Sequence, residues 1–265
     1  MERLLVLKLA AQGCSAAAWC NGVRVAQVDA NAPAASIAVH EYALSGVNRL
    51  ELVVEPDAAA DDASVTPEPA AQIMAAQLHL LLPRMGAAVD EGQARTLAQL
   101  SWQVASGEPL VLPVRLTQEA ELPIRFPRWR WLDAPVVEST PALHIRAHAF
   151  ITTLMRDLAR GQTDSFLAAT RLRTEELALA YQRSPESEAA RLRASLAELY
   201  ASARLRWLPL MAEDLRLHSL AGNRLLECLN AQGQAALTTL PDRHGSTLTL
   251  PLRLSVVEGR FYVLR

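Results

Sequence analysis

Lysine is almost absent from this sequence: of its 26 Lys and Arg residues, only Lys8 is a lysine. Neither sign of charge dominates, since 28 acidic residues offset those 26 basic ones and leave a net charge of −2. A near-neutral chain lacks the electrostatic footprint of nucleic-acid binding or of attachment to an anionic membrane. We therefore expect neither partner. The use of arginine in place of lysine, together with the many alanines, is typical of a GC-rich bacterial genome.

Cysteine and long apolar runs are also scarce. Cys14, Cys20 and Cys228 form an odd set without a C-x-x-C pair, which favours buried structural thiols. No run approaches the roughly 18 apolar residues of a membrane helix. Lys8 interrupts the apolar N-terminal stretch, which predicts a strand rather than a signal peptide. A cytoplasmic protein is the resulting expectation.

The residues that are present predict a globular protein of two domains. Apolar residues make up 51% of the 265 residues and charged residues 20%, which is enough to bury a core in each half. The sequence changes character near residue 140. We predict an N-terminal all-β sandwich or jelly roll over residues 1–135. An α+β domain over 141–265 follows, with three helices and then a curved antiparallel sheet.

The N-terminal half contains short apolar segments separated by turn residues. Asn21-Gly22 is a strong signal for a tight hairpin, and residues 56–69 predict an exposed loop. The strands expected are 3–10, 15–20, 23–28, 34–42, 48–55, 73–82, 95–104, 110–118 and a last one at 128–132. Their spacing is that of a sandwich.

The C-terminal half begins with three amphipathic segments, expected as helices at 141–160, 163–183 and from Ser184 to about residue 204. Ser184 and Pro185 are typical of a helix start. The strands expected after them are 215–220, 224–229, 235–240, 247–256 and 260–264. Glu258-Gly259 predicts the turn of the closing hairpin.

One N-terminal pattern resembles a known family. Trp19-Cys20-Asn21-Gly22 precedes Gly46-Val47-Asn48 and an alternating apolar strand that ends at Val54. This resembles the galactose-binding-like jelly rolls, which include accessory sugar-binding domains of some glycoside hydrolases. The resemblance covers residues 19–54 and implies a fold. The two motifs are scaffold in that superfamily, so no functional residue carries over.

The C-terminal order of helices and then strands resembles the nuclear transport factor two-like cone, whose closing hairpin matches residues 250–264. Members of that family are ketosteroid-isomerase-like enzymes, binding modules or dimerisation domains. The resemblance implies a cone that could hold a small ligand. An Asp general base with a Tyr partner cannot be placed on matching strands here, so the resemblance does not support the enzymatic branch.

The densest aromatic run supplies the candidate ligand-binding residues. In an extended chain Trp129 and Trp131 share one face, and Arg128 and Arg130 share the other. Two coplanar indoles can stack a sugar or a base, and arginines beside them can bind a carboxylate or a phosphate. Packing of both indoles in a core is the alternative, and the size of tryptophan favours it.

Two further pairs of residues are candidates for chemistry. His144 and His148 are spaced i, i+4 on the first helix, which suits two imidazoles on one metal. A third ligand is missing, so we expect no bound metal. Asp214 and His218 could form an acid–base pair. The alternation of Leu215 and Leu217 with their neighbours places His218 towards solvent.

The sequence contains no nucleophile elbow, P-loop or dinucleotide fingerprint, and no cofactor is expected. The leading hypothesis is a non-catalytic binding protein that recognises a protein partner or acts as an adaptor in a bacterial cytoplasm. A homo-oligomer also fits. One alternative is a small-molecule binder or an isomerase- or dehydratase-like protein with a pocket in the C-terminal cone. The other is a carbohydrate-binding module.

Overall fold

The computed structural model of the chain describes residues 4–56, 73–83 and 94–265. These residues form two compact units, Met1–Arg128 and Trp129–Arg265. The loop expected at 56–69 lies outside the described residues except for Pro56. The domain limits 1–135 and 141–265 stay a prediction.

The N-terminal unit consists of two four-stranded antiparallel sheets. Its strands are β1 (Val6–Gln12), β2 (Ser15–Cys20), β3 (Val23–Val28), β4 (Ala34–Ala38), β5 (Gly46–Glu55), β6 (Met74–Leu82), β7 (Arg95–Val104) and β8 (Val114–Leu122). The first sheet has the order β4-β1-β6-β7, and the second has the order β3-β2-β5-β8.

Both sheets bury alternate side chains in one shared core. In β1, Leu7 and Leu9 are buried and Lys8 between them is not, as the period of two in a strand requires. β5 contributes Leu50 and Leu52 from the second sheet to the same cluster. The chain is therefore a mixed α+β protein with an all-β N-terminal region, as the sequence indicated.

The Asn21-Gly22 turn forms as expected, with both residues at positive φ. The amide Nδ2 of Asn21 donates to Tyr42 O and to Asn48 Oδ1, each at 2.8 Å. Asn48 is buried, and its Oδ1 also accepts from Leu44 N. These asparagines hold the turn against the start of β5, so their role in this unit is to support the backbone.

The C-terminal unit contains three helices and two small antiparallel sheets. The helices are α1 (Pro141–Ala159), α2 (Asp164–Ala180) and α3 (Pro185–Ala201). The strands are β9 (Arg216–Leu220), β10 (Leu225–Leu229), β11 (Leu237–Thr238), β12 (Thr249–Leu250), β13 (Arg253–Val257) and β14 (Arg260–Val263). The larger sheet has the order β14-β13-β10-β9, and β11 pairs with β12.

Helix α1 buries one apolar stripe in the core of this unit. Thr140 caps it, since its Oγ1 accepts from Leu143 N. One stripe of α1, with Ile151 and Leu154, joins a core cluster that includes Leu226 of β10 and Leu254 of β13. No helix within the described ranges is long and apolar enough to cross a membrane.

Three sequence expectations for the N-terminal half need correction. The strand expected at 34–42 ends at Ala38, and a 3-10 turn at His40–Tyr42 follows it, in which Ala43 N donates to His40 O. The segment expected as a strand at 128–132 contains a 3-10 turn at Arg130–Leu132, in which Leu132 N donates to Trp129 O and Asp133 N donates to Arg130 O. The strand expected at 110–118 begins at Val114, directly after Pro113, which has no N–H to donate to a ladder. Hydrogen bonds within the turns, and the missing N–H of Pro113, thus take the place of the strand pairing that was expected in these segments.

Candidate functional site

The tryptophan segment is packed inside the protein. Trp129 is 0% exposed and Trp131 is 2% exposed. The turn at Arg130–Leu132 removes the extended geometry that would have placed the two indoles side by side on one open face. A sugar needs an exposed ring face to stack on. In this arrangement the indoles act as core residues, which is the alternative that their size favoured.

A buried ion pair lies beside these indoles. Glu176 of α2 places its Oε2 2.5 Å from Nη1 of Arg265, and the two side chains are 6% and 1% exposed. The other oxygen, Oε1, accepts from Arg130 N at 2.5 Å. The Arg265 guanidinium stands 5.6 Å from the centre of the Trp129 ring. Glu176 thus joins the tryptophan segment, α2 and Arg265 in one polar cluster.

The two candidate arginines of this segment differ in their surroundings. Arg130 directs Nη2 to Glu175 Oε2 at 2.7 Å and Nη1 to Leu172 O at 3.2 Å. Its guanidinium therefore already binds a carboxylate of the protein. Arg128 is exposed. Ligand binding at Arg128 and Arg130 stays a prediction.

The paired histidines of α1 contact groups of the protein. His144 Nε2 is 3.1 Å from Ser139 Oγ, and His148 Nε2 is 2.9 Å from Leu210 O. No cluster of three or more metal-ligating side chains occurs within the part of the chain that the structure describes. That the protein holds no metal stays a prediction, which elemental analysis of the purified protein tests.

His218 is exposed, as the alternation of leucines in its strand predicted. The pairing of β9 with β10 sets His218 across from Glu227, and the pairing of β10 with β13 sets Glu227 across from Arg253. Glu227 is buried, and its Oε1 accepts from Arg253 Nε at 3.2 Å and Nη2 at 3.1 Å. The guanidinium neutralises this carboxylate, so the pair has the features of a structural salt bridge.

The buried thiols of Cys20 and Cys228 are held in their protonated form. Burial, followed by the charge of Glu41, raises the pKa of the Cys20 thiol to about 12. Burial, followed by the charge of Glu227, raises the pKa of the Cys228 thiol as well. A thiol that keeps its proton is a poor nucleophile and metal ligand. These geometries agree with the structural thiols that the sequence favoured.

The outer face of the first sheet carries a depression that sequence reasoning missed. It has a volume of about 340 Å³, and its described lining comprises Lys8, Leu9, Ala10, Ala34, Ala35, Ser36, Gln77 and His79. Strand pairing places Lys8 directly between Ser36 of β4 and His79 of β6. Below that row, Ala10 lies between Ala34 and Gln77. We call this feature the sheet-face depression.

The side chains of the sheet-face depression explain its shape and its charge. Alanines at positions 10 and 34 leave room beside the longer side chains of the neighbouring row. The four strands of the first sheet contain Lys8, His79 and Arg95 but no Asp or Glu. An anion on this face would meet no carboxylate from these strands.

The carboxylates of the N-terminal strands are all in the second sheet, on β5 and β8. Glu51 of β5 is mostly buried between two guanidinium groups, with Arg49 Nε at 3.3 Å and Arg115 Nη1 at 2.5 Å. This carboxylate is satisfied within the protein. The two sheets therefore differ in their electrostatics, and only the first carries basic side chains without acidic ones.

A second, smaller depression of about 170 Å³ lies between α2 and α3. Arg173 and Arg191 line it, together with Glu188. Glu188 Oε1 accepts from Arg183 Nη1 at 2.8 Å and is 4.0 Å from Arg191 Nη1. Because a carboxylate of the protein already occupies this cleft, it is less suited to bind an external anion than the sheet-face depression is.

The sequence contained one signal for the sheet-face depression. Lys8, the sole lysine, alternates with Leu7 and Leu9, which places it on the outer face of a strand. Which residues would lie beside it depends on the pairing of β1 with β4 and β6, and those strands are distant in sequence. Strand pairing of this kind has no local signature.

Comparisons with known proteins identify no relative of this chain. No family model matches it, and neither a curated protein nor a solved structure is significantly similar to it. The likenesses to galactose-binding-like jelly rolls and to the nuclear transport factor two-like cone therefore stay predictions that rest on the motifs quoted above.

Proposed function

We propose that this chain is a non-catalytic binding protein of a bacterial cytoplasm and that the outer face of its first sheet is the recognition surface. The partner in this proposal is a protein, and the chain acts as an adaptor. The alternative partner is a free small molecule. A second copy of the chain is a further candidate partner.

The sheet-face depression is the observation that carries this proposal. Its described lining brings the side chains of Lys8, Ser36, Gln77 and His79 together with two alanines, Ala10 and Ala34. Small-molecule and side-chain sites are concave and mostly apolar, with a few polar groups that orient the ligand. Lys8 and His79 lie on a regular, hydrogen-bonded sheet, which holds their backbones rigidly in place.

The finer fold assignments belong to the same proposal. We propose a jelly-roll-like sandwich as the N-terminal domain and a cone-like α+β domain after it. Jelly rolls and other sandwiches bind ligands on a sheet face or on the loops at one end, which agrees with a recognition surface on the first sheet. This analogy concerns the fold alone.

The alternatives receive less support from the geometry. A carbohydrate module that used Trp129 and Trp131 would need ring faces that are buried here. An isomerase-like site would need a carboxylate poised as a base beside a tyrosine. Glu227 is buried in the C-terminal unit, but Arg253 binds it.

The single lysine makes a direct test feasible. Reductive methylation with ¹³C-formaldehyde labels the Lys8 amine and keeps its positive charge. The Lys8→Arg variant identifies which methyl resonance belongs to Lys8 and which to the α-amine. Butyrate, butylammonium, butyramide, glucose and a short peptide are then titrated, and each compound is analysed afterwards for chemical change.

We expect at least one compound to shift the Lys8 resonance saturably and to be recovered unchanged. A panel that leaves the Lys8 resonance unmoved would show that this face is not a recognition surface. Conversion of a bound compound into a product would overturn the non-catalytic part of the proposal.

A further inference from the structure

We infer that the exposed face of helix α1 binds a second copy of this chain, with the two α1 helices antiparallel about a two-fold axis at Ala149. This face belongs to the C-terminal unit, so the inference goes beyond the recognition surface proposed above and does not depend on it. Three features support it: the position of the face opposite the core, its apolar centre and the opposite charges at its two ends.

The face is a single stripe along the outside of α1. Its residues follow one another at intervals of three or four, which keeps them on one side of a helix, and they are Ala142, Ile145, Ala149, Thr152, Arg156 and Arg160. Thr152 is half-buried and the others are exposed. At about 100° per residue, this stripe lies opposite the buried stripe that contains Ala147, Ile151 and Leu158. We call it the outer face of α1.

The centre of the outer face of α1 is apolar and open to water. Ile145 is 69% exposed, and the exposed Ala142 and Ala149 lie about one turn before and after it. Met211 is 54% exposed and follows the residue whose carbonyl oxygen is 2.9 Å from His148 Nε2, which sets it close to this stretch. Neighbouring exposed apolar side chains of this kind mark sites of protein interaction.

An aromatic pair borders the same stretch on the other side. Phe150 and Phe261 are half-buried, and their ring centres are 5.3 Å apart. Arg146 donates to Gly259 O, and its guanidinium stands 5.5 Å from the centre of the Phe261 ring. Between residues 141 and 155 the chain contains no other Asp, Glu, Lys or Arg. A partner can therefore cover this stretch at little cost in desolvated charge.

The two ends of the outer face of α1 carry opposite charges. Glu138 is exposed just before the helix, and Arg156 and Arg160 are exposed at its C-terminal end. Arg156 Nε is 3.6 Å from Asp157 Oδ1, whereas Arg160 forms no ion pair within the described part of the chain. An antiparallel copy brings the basic end of each helix to the acidic end of the other, and a parallel copy would bring like charges together.

The positions of these charges set the register of the pair. A two-fold axis at Ala149 sets each residue against the one equally far beyond Ala149 in the second copy. Glu138 is eleven residues before Ala149 and Arg160 eleven after it, so each would face the other across the pair. Arg160 is about 16 Å from Ala149 along the axis, and Glu138 is at about the same distance in the other direction. The small Ala149 side chain allows helix axes about 8–10 Å apart.

Sedimentation velocity of the full chain over a concentration series measures self-association. The first variant is Ile145→Glu, which places a charge in the apolar centre of the face. Its matched control is Leu179→Glu, because Leu179 is an aliphatic residue of α2 that is 59% exposed. Circular dichroism melting curves verify that each variant is folded.

We expect the chain to dimerise and Ile145→Glu to weaken the dimer at least about tenfold, whereas Leu179→Glu should change its dissociation constant by less than about twofold. Arg160→Glu should also weaken the dimer, because it sets two like charges against each other. Combining Arg160→Glu with Glu138→Arg should restore most of the affinity, since the exchange rebuilds opposite pairs.

A single introduced cysteine tests the two-fold axis. The native cysteines are buried, so a maleimide reagent reaches an introduced surface thiol first. In Ala149→Cys the thiols of the two copies lie near each other across the axis, and a short bis-maleimide should join them into a covalent dimer. Leu179→Cys, treated in the same way, should stay uncrosslinked.

A chain that stays monomeric at its highest soluble concentration would overturn the inference and would leave this face to a different protein. A dimer that Ile145→Glu leaves intact, or that Ala149→Cys does not crosslink, would overturn it as well. A dimer that Arg160→Glu strengthens would contradict the antiparallel arrangement. None of these measurements involves Lys8, so this inference and the proposed function can fail separately.

Discussion

Replacing Glu176 with glutamine tests the packing logic of the C-terminal unit. The change keeps the shape of the side chain and removes its charge. The side chain of Arg265, which is 1% exposed, would then keep its positive charge, while its partner at 2.5 Å would be neutral. The Arg130 amide would keep an acceptor, because a glutamine oxygen can take the place of Oε1.

The size of the effect follows from this burial. Removing one partner of a buried ion pair costs about 3–5 kcal/mol, because the remaining charge stays desolvated. The adjacent Glu175 provides a matched control on the same helix. Its carboxylate is 30% exposed and pairs with Arg130 and Arg171, each at 2.7 Å. Glu175→Gln should cost less than about 1 kcal/mol, because solvent screens such pairs.

Urea unfolding followed by circular dichroism gives the free energy of unfolding of each variant, and hydrogen exchange of the α2 amides reports the local effect. A third variant, Glu176→Leu with Arg265→Met, replaces both charges and should lose less stability than Glu176→Gln alone. The reasoning is refuted if Glu176→Gln is no more destabilising than Glu175→Gln.

Three other changes test separate parts of the structure. Trp129→Ala should cost about 3–5 kcal/mol in thermal or chemical unfolding, because it empties a fully buried site; an unchanged stability would contradict that burial. Gly161→Ala forces φ +74 on alanine and places its Cβ 2.8 Å from the Tyr200 ring. It should therefore cost more than the roughly 1–2 kcal/mol of backbone strain alone, and Gly245→Ala, with φ +78 and open space, should show only the strain. Burial raises the pKa of the folded Cys20 thiol to about 12, so the contribution of this thiol to the free energy of unfolding should be full below about pH 9. That contribution should fall between about pH 9 and pH 12, because the unfolded chain loses the proton first, and urea unfolding across this range measures the direction of the change. Modification of native Cys20 by a thiol reagent at neutral pH would contradict the burial.

The local elements of this chain were largely predictable. The expected helix at 141–160 is α1 (Pro141–Ala159), because its apolar residues repeat at helical spacing and Thr140 and Pro141 mark its start. The strand expected at 23–28 is β3, since Asn21-Gly22 requires a tight turn before it. Such signals lie within a few residues of the element that they define.

Segments whose structure depends on distant contacts were less predictable. The alternating Trp129 and Trp131 suggested a strand, but Glu176, far away in sequence, accepts from Arg130 N. A hydrogen bond of that kind leaves no trace in the local pattern. The solvent-facing position of His218 followed from the local alternation of leucines, but the register of β9 and β10, which sets Glu227 opposite it, did not.

The sequence by itself determined the mixed α+β class and the all-β N-terminal region, because hydrophobic period and turn chemistry are local properties. Only the tertiary structure decided which residues lie around Lys8. Ser36 and His79 come beside it through antiparallel pairing of strands that are far apart along the chain. Such pairing depends on the packing of a whole core, and a shift by one residue would turn every one of these side chains to the opposite face.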